Sequence, residues 1–189
     1  MASSKKSQPA TIYQIKVTLL GTRPKVWRRI QVDSKATLQK LHDILQIVMG
    51  WGGYHLYQFH LEGEYFGEPH TDDELDMQPA KRVKLSEVYH GPKTKFIYEY
   101  DFGDSWEHEI LFEKEMPAEP GSHYPVCLEG ERACPPEDCG GVWGYEDLLK
   151  IIKNPEHEEY EEMMEWVGED FDPEAFDLNE INRTLKAFR

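Results

Sequence analysis

The run from Phe96 to Glu113, F-I-Y-E-Y-D-F-G-D-S-W-E-H-E-I-L-F-E, alternates apolar and polar residues almost without interruption. Alternation at a period of two marks a half-buried strand. Extended in one piece, the run would reach roughly 60 Å, more than a small domain accommodates. It must fold back on itself, and Gly103-Asp104-Ser105 is its one turn-forming cluster. A three-residue loop there opposes Phe102 with Trp106, Tyr100 with His108, Tyr98 with Ile110 and Phe96 with Phe112. This register gathers the aromatic and apolar side chains on one face, with His108 as its odd member. A two-residue loop would mix the faces.

The opposite face pairs Asp101 with Glu107 and Glu99 with Glu109, and like charges directly opposed on a sheet are unfavourable. Compensation is expected from solvent, a cation, the basic residues Arg23, Lys25 and Arg29, or a partner protein. Asp101, Asp104, Trp106 and His108 together make a candidate ligand-binding site. A carboxylate and an imidazole can exchange protons or bind a metal, and aromatic neighbours line pockets. The same residues have a plainer reading, in which Asp104 bonds turn amides, Trp106 is core and His108 donates to a carbonyl.

Upstream, Ile12–Leu20 alternates as a strand, Gly21-Thr22-Arg23-Pro24 turns the chain, and Val26–Val32 forms a second strand. The apolar face of that strand is Val26, Ile30 and Val32, with Arg28 intruding. An inward arginine implies a carboxylate partner or a strand edge. Thr37 caps a helix carrying Leu38, Leu41, Leu45 and Val48 on one stripe, flanked by His42, Ile44 and Met49 and stopped by Gly50. His42 borders the stripe and reads as a satisfied, partly buried histidine. Tyr54–Tyr65 is a third strand. Residues 67–80 form an acidic loop in which His70, Asp72, Asp73 and Glu74 lack the spacing of a calcium site. Val83–Tyr89 has room for a strand end and a helical turn.

Strand, strand, helix, strand, short element and hairpin is the order of ubiquitin-like β-grasp folds. The expected fold is therefore α+β, with a β-grasp-type sheet and one packed helix over residues 11–115 and a disordered tail over 1–10. Residues 116–189 add a Cys/Pro/Gly-rich loop and a helical cap at 145–153, 156–167 and 179–188, making a single domain overall. The helix at 156–167 should bury Tyr160, Met163, Met164 and Val167.

Cys127, Cys134 and Cys139 are spaced C-x6-C-x4-C, without the paired C-x2-C knuckles of a strong zinc signature. Zinc ligation by the three thiolates would take His123 or His108 as a fourth donor. The alternatives are packing as small apolar groups, a Cys134–Cys139 disulfide, or a reactive thiolate, for which Cys139 before Gly140-Gly141 is best placed.

The formal net charge is −15, unlike a general nucleic-acid binder, which must neutralise phosphates. Residues 1–95 hold 14 basic and 10 acidic residues, whereas residues 96–189 hold 7 basic and 26 acidic ones. That asymmetry suggests a basic partner for the second half, contact between the halves, or a solvated acidic surface. No apolar run has the length of a membrane span, and the N-terminus lacks the apolar core of a signal peptide. With three cysteines the expectation is a cytoplasmic protein.

L-H-D-I-L-Q-I-V-M-G-W, H-L-Y-Q-F, Y-E-Y-D-F-G-D-S-W-E-H-E-I, C-L-E-G-E-R-A-C-P-P-E-D-C-G-G and G-Y-E-D-L-L, in this order, resemble the Ri-plasmid ORF-3-like proteins over roughly residues 11–186. These are also labelled insertion-sequence passenger proteins, and some resolvase-like. The resemblance implies no defined activity; its labels suggest only a mobile-element DNA function. The chain shows neither a basic recognition helix nor a nucleophilic serine motif to support recombination. Three functions remain in view: a non-catalytic module binding a protein or small ligand, a zinc-dependent enzyme using the cysteine loop or Asp104 and His108, and that DNA function.

Overall fold

The computed structural model describes residues 9–69 and 77–188. All but the last two residues of the expected tail, and His70, Asp72, Asp73 and Glu74, lie outside them. Strands β1 (Thr11–Leu19) and β2 (Trp27–Asp33) form a hairpin and lead into helix α1 (Leu38–Met49). Next come β3 (Tyr57–Leu61), β4 (Glu64–Gly67), β5 (Met77–Pro79), a 3-10 turn and the short helix α2 (Leu85–Val88). The long hairpin follows as β6 (Lys95–Tyr100) and β7 (Trp106–Pro117), then β8 (Val126–Glu131). Helices α3 (Gly141–Ile152), α4 (Tyr160–Val167) and α5 (Leu178–Ala187) complete the chain. The fold is α+β, with one eight-stranded sheet ordered β5-β4-β3-β6-β7-β1-β2-β8. Every neighbouring pair is antiparallel except β4 with β5. Among the described residues no helix is long and apolar enough to cross a membrane.

Local signals fix α1. The Thr37 side chain accepts the Lys40 N–H, Gly50 is left-handed, and Leu38, Leu41, Ile44, Leu45 and Val48 are buried. His42 lies in the same face, stacked on Tyr57 at 3.6 Å, with its Nδ1 2.8 Å from the Tyr98 hydroxyl.

The β6–β7 hairpin corrects the expected register by two residues. Tyr100 faces Trp106, Tyr98 faces His108 and Phe96 faces Ile110. The loop spans five residues because Asp101 and Ser105 both take left-handed backbone angles. The Asp101 carbonyl accepts the Ser105 N–H at 2.6 Å, and its Oδ1 accepts the Gly103 N–H at 3.0 Å. Phe102, expected against Trp106, is exposed at the tip. An even offset preserves the two faces, so the aromatic face is still buried and Trp106 and His108 are fully enclosed.

The acidic face finds its compensation close by. Glu99 accepts hydrogen bonds from Gln58 Nε2 and Ser105 Oγ, and Lys95 pairs with Glu109 at 3.3 Å. Arg29 turns instead to Glu113 and Glu129.

Three further expectations are revised. Tyr54–Tyr65 is two strands, turned at Glu62-Gly63. The Cys/Pro/Gly-rich stretch contains β8, which extends the sheet beside β2. Helix α4 begins at Tyr160, and the face carrying Tyr160, Met163, Met164 and Val167 is only half-buried. Asn182 of α5 docks the last helix on β8 through two 2.8 Å bonds to the Cys127 backbone, and Leu185 joins the core.

Arg28 is buried as expected, with carbonyls in place of a carboxylate. It donates to the Val48, Trp27, Glu131 and Arg132 oxygens at 2.7–2.8 Å. Carbonyls left over at the C-terminus of α1 and at the end of β8 carry partial negative charge, which is what a buried guanidinium needs. Burial nevertheless lowers its pKa from the ordinary arginine value.

Candidate functional site

Three loops meet at one end of the sheet: Trp51–His55 after α1, Asp101–Ser105 at the hairpin tip, and Cys134–Gly141 before α3. Tyr100, the last residue of β6, joins two of them directly. Its hydroxyl accepts the Tyr54 and His55 N–H groups at 3.1 and 3.4 Å and donates to Glu137 Oε1. Glu137 Oε2 accepts the Gly52 N–H at 3.2 Å, and the Trp51 indole donates to the Pro135 carbonyl at 3.0 Å. Burial, then the bond to Glu137, raises the Tyr100 hydroxyl above its ordinary pKa of 10, so it serves as a permanent donor.

The third junction is steric as well as polar. Asp104 Oδ2 accepts the Gly140 N–H at 3.2 Å. A side chain at Gly141 would place its Cβ 2.5 Å from the Asp104 carbonyl oxygen, and one at Gly144 would lie 1.8 Å from the Cys139 oxygen. The glycines of C-G-G-V-W-G therefore allow α3 to start directly against the hairpin tip, four residues before the expected Tyr145. This close approach brings together motifs far apart in sequence.

Asp101, Asp104, Glu137 and Asp138 lie at this end. Among the described residues, no lysine or arginine forms an ion pair with any of them. Among the described residues the ion-pairing partner of Asp101 and Asp138 is His55, whose Nε2 is 3.2 Å from Asp138 Oδ1 and 3.7 Å from Asp101 Oδ2. The same loops and their flanks carry exposed apolar side chains. Of six exposed large hydrophobic residues among the described residues, Tyr54, Leu56, Phe102 and Trp143 stand on or beside these loops. A fifth, Trp166, borders a groove of about 300 Å³ between α3 and α4 that opens beside Asp138 and Cys139.

The site expected from the sequence is divided by the fold. Asp101 and Asp104 are at the loop end, whereas Trp106 and His108 are sealed beneath it. His108 Nδ1 is 3.4 Å from the Tyr98 carbonyl, Nε2 has no hydrogen-bond partner among the described residues, and burial pushes the ring down to about 4. It is a neutral core group, out of reach of a ligand on the surface.

Among the described residues, the proposed zinc donors form no group of three with mutually close ligand atoms. Among the described residues, the one group of three or more potential donors with mutually close ligand atoms is His55, Asp101 and Asp138. Cys127 is buried on β8, Cys134 lies under the loop near Arg28, and Cys139 precedes α3. His123 is exposed beside Tyr124 in a separate surface depression. All three thiols are free. Burial drives Cys134 up to about 12, and burial followed by the Asp104 charge does the same to Cys139, opposing the thiolate that a nucleophile requires.

Sequence reasoning missed His55, Tyr100, Glu137 and Asp138 as partners. The available signal was indirect: W-G-G follows α1, G-D-S joins β6 to β7 and C-G-G leads into α3, and tight loops between elements commonly carry function.

The class defined so far is an α+β protein whose mostly antiparallel sheet presents an acidic, aromatic end built from three loops. Over residues 11–180 the chain matches the family described as plasmid pRiA4b ORF-3-like protein, and it belongs to that family. It is similar to an uncharacterised protein of Sinorhizobium fredii, at 41% identity over 180 residues, covering 93% of this chain and 91% of the relative. A crystal structure of a protein of unknown function from Methanosarcina mazei Go1 is similar, with TM-score 0.83 and 40% identity. The match covers 90% of this chain and 97% of that one. Neither relative's name carries an activity.

Proposed function

We propose that this protein is a non-catalytic binding module whose three-loop end receives a basic segment of a partner protein. The observation carrying this reading is that the exposed Tyr54, Leu56, Phe102 and Trp143 stand on or beside the same three loops as carboxylates that no lysine or arginine of the described residues pairs with. Exposed aromatic residues beside anchored acids are suited to the apolar stems and cationic heads of lysine and arginine, and to cation–π contact. The backbone beneath is cross-tied by Tyr100, Glu137 and Gly141, so little ordering is required on binding. In this reading residues 11–115 are a β-grasp-like core, and residues 116–189 belong to the same folding unit, with their loop supplying one wall of the site.

Selection from a random peptide display library against the purified protein tests it. The expected peptides are enriched in lysine and arginine, bind more weakly as salt is raised, and lose at least tenfold in affinity with Trp143→Ala or Asp104→Asn. Peptides without basic enrichment, or affinities indifferent to both variants, would overturn it.

A further inference from the structure

We infer that His55, Asp101 and Asp138 form a binding site for one divalent transition-metal ion. Their candidate ligand atoms, one imidazole nitrogen and two carboxylate oxygens, all lie within 4.8 Å of one another. Ligands about 2.1 Å from a common metal are separated from each other by about 3–3.5 Å. The His55 Nε2 distances of 3.2 Å to Asp138 and 3.7 Å to Asp101 are close to that spacing, and the two carboxylates lie within 4.8 Å of each other.

Asp101 supplies a second, independent observation. It is only 8% exposed, and its Oδ1 is occupied by the Gly103 N–H. Its Oδ2 receives no hydrogen bond from the described residues and faces His55 at a distance too long for one. Oδ2 is thus an acceptor available to a cation beside His55. The second sphere is already in place. The Gly103 amide orients Asp101, while Tyr100 holds the His55 backbone and the Glu137 side chain, next to Asp138.

One nitrogen and two oxygens suit Zn²⁺, Fe²⁺ or Mn²⁺ better than Ca²⁺, and the three donors leave coordination positions open to solvent or a partner group. A plain contact of His55 with the two carboxylates, without a metal, is the competing account. The donor set differs wholly from the cysteine set expected from sequence, and it stands whether or not a basic segment binds nearby.

Isothermal titration of EDTA-stripped protein with Zn²⁺ and with Mn²⁺ tests the site. The expected result is one ion per chain, with affinity lowered at least tenfold by His55→Ala and by Asp138→Asn. Asn is chosen because it tolerates the left-handed backbone at position 138. Thermal unfolding of each metal-free variant verifies that it folds. Absence of binding, binding unchanged in both variants, or binding abolished instead by Cys134→Ser or Cys139→Ser would overturn the assignment. Peptide affinity measured with EDTA present reads the neighbouring surface separately.

Discussion

The hydroxyl of Tyr100 donates to the carboxylate of Glu137, 37 residues further along the chain. The same oxygen accepts two amides of the loop after α1, so one phenol ties together the end of the sheet and two of the three loops. Tyr100→Phe keeps the ring, which stacks on Trp51 at 5.0 Å, and removes only these bonds. The expected loss is about 1–2 kcal/mol in urea unfolding. Amide hydrogen exchange should quicken at Tyr54 and His55 while remaining unchanged in β1.

Arg28 fastens the opposite side of the same end. Its four bonds to carbonyls connect β2, the last turn of α1 and the segment after β8. Arg28→Met retains much of the stem and strands those oxygens. Denaturant titration should show a loss of about 3 kcal/mol or more.

Acid should destabilise the fold through its buried imidazoles. Burial depresses His42 and His108 from 6.5 to about 4. Between those values the unfolded chain binds protons that the folded one refuses. Their contribution is therefore complete above about pH 6.5 and lost as pH falls toward 4, at up to about 3 kcal/mol for each histidine. A pH series of urea midpoints measures this, and His108→Leu should flatten the slope in that window.

The cysteines should be slow to react in the native state. With Cys134 and Cys139 raised to about 12, almost none of either is thiolate at pH 8. Alkylation by iodoacetamide, followed by mass spectrometry, should run on the order of 100-fold slower than in the urea-unfolded chain.

How much was legible in the sequence follows from how far each interaction reaches. Thr37, Gly50 and the leucines between them specify α1 within fifteen residues or so, and a local signal of that kind reads correctly. The two faces of the long hairpin were also legible, since alternation alone assigns them. Its pairing was not. Gly103 advertises a turn, but the loop length depends on Asp101 reaching forward to the Gly103 amide while Asp101 and Ser105 turn left-handed. Strand β8 was concealed because its strand character comes from lying beside β2, within a stretch rich in turn formers. The acidic residues of the hairpin tip were noticed, whereas their meeting with His55 and Asp138 was not. That site depends on Gly141 approaching Asp104 across the fold, and no periodicity records such a contact.

The claim that the three-loop end is the binding surface is tested most directly by backbone amide NMR during titration with a lysine- and arginine-rich peptide. The account predicts shift changes concentrated in residues 52–56, 101–105 and 137–144, diminishing with added salt. Changes centred on the open sheet face around Gln14, Arg29 and Glu113, or no changes at millimolar peptide, would contradict it.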